Sequence, residues 1–175
     1  MTGASESLLA VDPGSAYSAY VRMDTETCRP LDFAKIPNDL LLKRIDSWRR
    51  QAEAGQPAFH AAVIETMVGS YGQVGRTTID TAIMIGRLEQ ALLSFAPVDM
   101  LPRQTIKKHL CPGVRANDKT VRDALIARFA FRDRQRGKGT KTRPDFFFGF
   151  ANDVWAAFAA GVTELDFQTE RKGYQ

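Results

Sequence analysis

Histidine and cysteine are scarce in this chain, two of each among 175 residues. His60 and His109 stand alone, and neither they nor Cys28 and Cys111 fall at the short spacings that a zinc site needs. Two thiols cannot build a disulfide framework, so both are expected to be buried and reduced. No apolar run approaches the ~18 residues of a membrane span, and the polar start Met1–Glu6 lacks the basic-then-apolar order of a secretory signal. A cytoplasmic protein with no membrane association is expected. Internal repeats and low-complexity tracts are also missing, which excludes a solenoid or an extended disordered chain.

What is there reads as one globular domain over residues 1–175. Hydrophobic residues make up 44% and charged residues 25%, and a chain of this length buries roughly two-thirds of its unfolded surface. The most informative segment is Leu8-Leu9-Ala10-Val11-Asp12-Pro13-Gly14-Ser15, an apolar run that delivers one carboxylate into a Pro-Gly turn. Val63-Ile64 likewise runs into Glu65 before a glycine-containing loop, and Asp153 sits among small and apolar residues at helical spacing.

Around these acids the elements alternate. Leu8–Asp12, Tyr17–Met23 and Cys28–Phe33 are expected as strands, the first central because it is continuously apolar. Pro37 opens a helix to about Ala54, with Leu41, Ile45 and Trp48 at helical spacing and Gly55 and Pro57 as the stop. Phe59–Glu65 reads as a buried strand, Thr66–Arg76 as a loop, and Thr77–Phe95 as a helix apolar enough to bury more than one face. A short strand, Val98–Leu101, precedes helices at Gln104–Cys111 and Asp118–Phe131, the second capped by Asn117. The last helix is expected over Phe148–Leu165, with a loose end at 168–175.

Charge is uneven although the net value is only +4. Residues 132–143 place six basic side chains, Arg132, Arg134, Arg136, Lys138, Lys141 and Arg143, against one acid and two glycines. Such a segment cannot pack a core, so a mobile, exposed loop is expected, suited to neutralising nucleic-acid phosphates.

An ionised carboxylate at the end of a central strand is costly to desolvate unless a cation pairs with it. No basic residue lies near Asp12 or Glu65 in the sequence, so the partner must be a distant side chain or a metal. Hard oxygen donors suit Mg²⁺ or Mn²⁺. Two such ions held by shared carboxylates activate water and stabilise a leaving oxygen in phosphodiester cleavage.

The residues around the acids extend the pattern. Asp12-Pro13-Gly14-Ser15 and Val63-Ile64-Glu65 are followed by Asp80-Thr81-Ala82-Ile83-Met84-Ile85-Gly86. Then come Pro97-Val98, Arg103-Gln104-Thr105-Ile106-Lys107, Gly113 with Lys119, and Asn152-Asp153-Val154-Trp155-Ala156-Ala157. In order and spacing this series resembles the RuvC-type Holliday junction resolvases, from about Leu8 to about Val162. The basic segment before the last helix resembles phage-encoded relatives more than compact bacterial ones. The resemblance implies an α/β, ribonuclease-H-like fold, a five-stranded mixed sheet flanked by helices. It also implies a homodimer in a bacterial or phage-infected cytoplasm that nicks branched DNA symmetrically, with two Mg²⁺ or Mn²⁺ ions per active site and no small-molecule cofactor. The helix Thr77–Phe95 would supply the dimer interface.

Site residues follow from the same resemblance. Asp12 would bridge both metals, with Glu65 and Asp153 each holding one, and Lys107 and Lys119 would lie near the scissile phosphate. Tyr71, Gln73, Arg76 and Arg103 would meet DNA together with the basic segment. One position departs from the family: its fourth ligand, one helical turn before the last acid, is Phe150 here. Asn152, Asp145 or water would then complete the second metal, or a non-catalytic junction-binding protein would retain the fold. Among unrelated functions, the Asp-Pro-Gly-Ser turn resembles the first phosphate loop of actin-like sugar kinases, which need a second lobe. A proofreading exonuclease wants Asp-x-Glu where Gly14 stands.

Overall fold

Strand β1 (Ser7–Asp12) is apolar throughout because both of its faces are covered. Leu8 and Ala10 enter one hydrophobic core while Leu9 and Val11 enter the other, the period-two alternation of a strand. β2 (Tyr17–Asp24) pairs antiparallel with β1, and β3 (Pro30–Pro37) antiparallel with β2. Helix α1 (Asn38–Glu53) then leads to β4 (Ala61–Thr66), which joins the other side of β1 in parallel. After α2 (Arg76–Leu93), β5 (Val98–Pro102) extends the parallel part, giving a five-stranded mixed sheet of order β3-β2-β1-β4-β5. The computed structural model describes residues 6–67, 74–113, 115–151 and 153–173. Among them no helix is long and apolar enough to cross a membrane.

One face is covered by α1 and α2, with Leu41, Ile45, Trp48, Met84, Leu88 and Leu92 packed over Leu9, Val11, Tyr20 and Ile64. The other face carries α3 (Arg103–Leu110), α4 (Asp118–Phe129) and α5 (Val154–Gly173). Helix α5 lies directly on the sheet. A Cβ at Gly161 would come within 2.3 Å of Met23 Sδ and 3.1 Å of the Ala10 Cβ, so glycine permits the close approach. Residues 157–165 are buried around the whole circumference, because α3 and α4 pack on the far side. Asn117 caps α4 as expected, through a reciprocal capping box with Thr120. Both cysteines are free and buried.

Several boundaries differ from the sequence reading, each for a physical reason. β3 starts at Pro30, since residues 24–29 form a turn in which Asp24 accepts the N–H groups of Glu26 and Thr27 and Cys28 takes a φ of +57°. The last helix starts at Val154 and not at Phe148. Phe147 and Phe150 are instead core residues of a loop, packed on Trp155 and Phe158, and Gly149 has a φ of +87° that no helix allows. The end expected to be loose is helical to Gly173, held where the buried Glu164 accepts from Gln168 and pairs with Arg171.

The basic segment is likewise not free chain. Asp145 accepts the N–H groups of Phe131, Arg132, Asp133 and Phe146, and Asp133 accepts those of Gln135, Arg136, Lys138 and Gly139. Two carboxylates thus organise the loop from inside and leave its cationic side chains outward.

Candidate active site

The strand register brings two of the acids together. Val11 pairs with Ile64 in the parallel β1–β4 ladder, so Asp12 and Glu65 follow one residue later on strands ~4.8 Å apart. Both share the parity of Ala10 and Val63, which face the α5 side. Asp153 immediately precedes α5 and arrives at the same edge. The carboxyl ends of β1 and β4, with the start of α3 after β5, therefore form a cavity of about 120 Å³ lined by Asp12, Glu65, Arg103, Lys107, Asp118 and Asp153, among others.

The turn that carries Asp12 is locked by Asn38 and Ser18, which the sequence did not single out. Asn38 Nδ2 donates to the Gly14 carbonyl at 2.9 Å and its Oδ1 accepts from Ser18 Oγ at 2.7 Å. A Cβ at Gly14 would meet the Tyr17 carbonyl oxygen at 2.3 Å, so only glycine fits. This rigid turn fixes the strand end from which Asp12 projects.

Each acid has a different electrostatic setting. Asp12 accepts no hydrogen bond from the described residues; burial, and next the charge of Glu65, push its carboxyl up to about 8 against the pull of Arg103 and Lys35. Glu65 is 7% exposed and accepts from Arg103 Nη1 at 2.7 Å. Burial nevertheless raises its carboxyl above the ordinary range, with Arg103 opposing. Asp153 is paired with Lys35 Nζ at 2.5 Å. Asp118 takes Arg103 Nη2 at 2.9 Å and Lys107 Nζ at 3.0 Å, and Lys107 above all holds its carboxyl low.

The predicted residues divide accordingly. Asp12, Glu65, Asp153, Lys107 and Arg103 line one cavity. Lys119 does not: it points to Asp123 on its own helix at 2.5 Å and is largely exposed, because its place in the first turn of α4 faces outward. Arg76 pairs with Asp80 on the surface of α2. Of the basic segment, Arg132, Arg134, Arg136, Lys138, Lys141 and Arg143 all lie outside this cavity. Tyr71 and Gln73 lie outside the described residues, as does Asn152. Asp145 is committed to its loop, and the fully buried Phe150 packs on Phe33 with 4.7 Å between ring centroids, so neither supplies a fourth ligand. Lys35, Asp118 and Arg122 belong to the site or its edge and were missed. Only for Lys35 was there a signal, its alternation with Phe33 on an extended β3.

The donor set is suited to a hard divalent cation. It consists of carboxylates alone, and one of them, Asp12, is half-buried beside Glu65 without a hydrogen-bond donor to its carboxylate among the described residues, a setting that a cation relieves. As the side chains stand, Glu65 and Asp153 turn to Arg103 and Lys35, and among the described residues no three acids, histidines or cysteines are gathered as ligands.

The fold has counterparts among solved structures. Thermus thermophilus RuvC in complex with Holliday junction substrate matches with a TM-score of 0.61 and 15% identity, over 94% of this chain and 96% of that one. A second Thermus thermophilus RuvC structure matches at 0.60 and 15%, with the same coverage. The fowlpox virus resolvase, in complex with Holliday junction DNA, matches at 0.50 and 11%, over 91% of this chain and 99% of that one. No protein-family model and no curated protein matches the sequence. Element order, sheet topology and near-complete mutual coverage together give this chain the RuvC-type, ribonuclease-H-like α/β fold.

Proposed function

We propose that this protein is a metal-dependent endonuclease that resolves four-way or related branched DNA by paired nicking as a homodimer. The observation that carries the reading is the convergence of Asp12, Glu65 and Asp153 on one cavity at the carboxyl ends of β1 and β4, rimmed by Arg103 and Lys107. Near-complete coverage of resolvase structures supports the junction as substrate. Asp12, Glu65 and Asp153 would hold two Mg²⁺ ions, with Mn²⁺ able to substitute. Bound there, the ions would supply an activated water and charge stabilisation for the leaving oxygen. Arg103 and Lys107, two of the cations that line the cavity, would meet the scissile phosphate, and both already bind carboxylate oxygens. Ile106, Val121 and Trp155 add a buried apolar wall to the cavity.

A second reading is a junction-binding protein that keeps the fold without cutting. The apolar Phe150 in place of a fourth ligand and the cation-paired Glu65 and Asp153 favour it. One experiment separates the two: incubation with a labelled synthetic four-way junction and a linear duplex, in Mg²⁺, Mn²⁺ or EDTA. The expected result is metal-dependent paired nicks near the branch point, lost in Asp12→Asn while junction binding persists. Tight binding without cleavage in either metal selects the non-catalytic reading.

A further inference from the structure

A second cleft, of about 630 Å³, opens beside β3 and shares no lining residue with the acid cavity. Aromatic rings and guanidinium groups line it together: Phe33, Phe131 and Phe148 with Arg29 and Arg132. Phe131 is 76% exposed, more than any other large hydrophobic side chain among the described residues, and Phe148 is 45% exposed. Neither ring hangs on loose chain. The Phe131 N–H donates to Asp145 Oδ1 and the Phe148 N–H to the Asp145 carbonyl, each at 3.0 Å. The Phe131 ring also meets Phe146 edge-on, with 6.3 Å between centroids. One buried residue therefore fixes the backbone that presents both exposed rings.

The charge of the cleft is as specific as its rings. Asp145 is the one acid in its lining among the described residues, and both carboxylate oxygens are occupied by backbone N–H groups. The Arg132 guanidinium forms no ion pair or side-chain hydrogen bond among the described residues. Exposed rings held rigidly beside available guanidinium groups suit a ligand with flat faces and regularly spaced anions, which is a run of unpaired nucleotides. Duplex DNA does not fit, because its base faces are stacked inside the helix.

Position links the cleft to the acids. Phe33 lines the cleft, and Lys35, two residues further along β3 on the same side, holds Asp153. Strand rise separates these two residues by ~7 Å, about two stacked nucleotides along one strand. We propose that this cleft grips an unpaired DNA strand next to the cleavage site, with bases stacking on Phe131 and Phe148 and phosphates meeting Arg29 and Arg132. The inference rests on the reading of this protein as a branched-DNA endonuclease and adds to it a subsite for a single-stranded arm.

The test is fluorescence anisotropy in EDTA with a labelled oligo(dT) and a duplex of the same length, so that its outcome does not depend on cleavage. Phe131→Ala and Phe148→Ala should each weaken oligo(dT) binding about tenfold, within the ~5- to 150-fold range of a lost base–aromatic stack, and leave duplex binding within twofold. Phe131→Trp should restore affinity and Phe131→Leu should not, which separates stacking from apolar bulk. In parallel, an oligonucleotide carrying 5-iododeoxyuridine should photocross-link to the segment containing Phe131. Equal oligo(dT) affinity in wild type and both alanine variants, or cross-links confined to other segments, overturns the subsite even if junctions are cut. Conversely, a protein that passes these binding tests but never cleaves a junction retains the subsite and loses the nuclease reading.

Discussion

At the scale of single residues, the site is decided by which cations reach the acids. Lys107 and Lys119 look alike in sequence, each a lysine on a helix after β5. The fold separates them: Lys107 lines the cavity and contacts Asp118, whereas Lys119 turns to Asp123 in solvent. Removing a cation that stabilises developing charge costs on the order of 10²-fold in rate, and removing an exposed intrahelical pair costs almost nothing. Single-turnover cleavage of a four-way junction should therefore slow by roughly 100-fold in Lys107→Ala and by less than about twofold in Lys119→Ala. Equal losses in the two variants would refute this assignment.

Elements were legible to different depths. β1 and β4 were plain because an apolar run ending in an acid shows both burial and the place where it stops. The last helix starts later than the expected Phe148, because Phe147 and Phe150 reach the core of Trp155 and Phe158 from a loop bent at Gly149. Spacing cannot report a positive φ. The pairings of Asp118 with Arg103 and of Asp153 with Lys35 join segments distant in the chain, and no local pattern encodes them.

The basic segment 132–143 has a hidden source of order for a related reason, since Asp145, just beyond the stretch whose composition signals solvent, gathers backbone N–H groups at its start. Burial alone would raise the Asp145 carboxyl, but the four backbone N–H groups outweigh it and hold the group far below the usual aspartate range. A folded value below the unfolded ~3.9 means that the stabilisation is complete above about pH 4 and is lost as the pH falls through the depressed folded value. Asp145→Asn should lower unfolding stability by about 2–3 kcal/mol at neutral pH. Urea titrations at a series of pH values should show the gap to wild type closing below about pH 4. A gap that stays constant into that acid range would mean that the carboxylate charge does not organise the loop.

At the scale of the whole molecule, paired nicking of a junction requires two sites, and this chain builds one cavity of converging acids per subunit among its described residues. Under the proposed homodimer, α2 offers an apolar surface on which two copies would associate. Its buried face is Thr81, Met84, Leu88 and Leu92, yet Ile79 and Ile83 stand 48% and 56% exposed one turn apart on another face. This is the second apolar stripe that the sequence of α2 contains, and core packing does not use it. A surface substitution there should change fold stability by no more than about 0.5 kcal/mol, so Ile83→Asp tests association without unfolding the subunit. Sedimentation velocity should give a dimer for wild type and a monomer for Ile83→Asp at the same concentration. On a junction the variant should then leave single nicks where wild type leaves pairs, because the two active sites no longer arrive on one scaffold. Unchanged sedimentation in the variant, or a monomeric wild type that still makes paired nicks, would move the coupling of the two cuts away from α2.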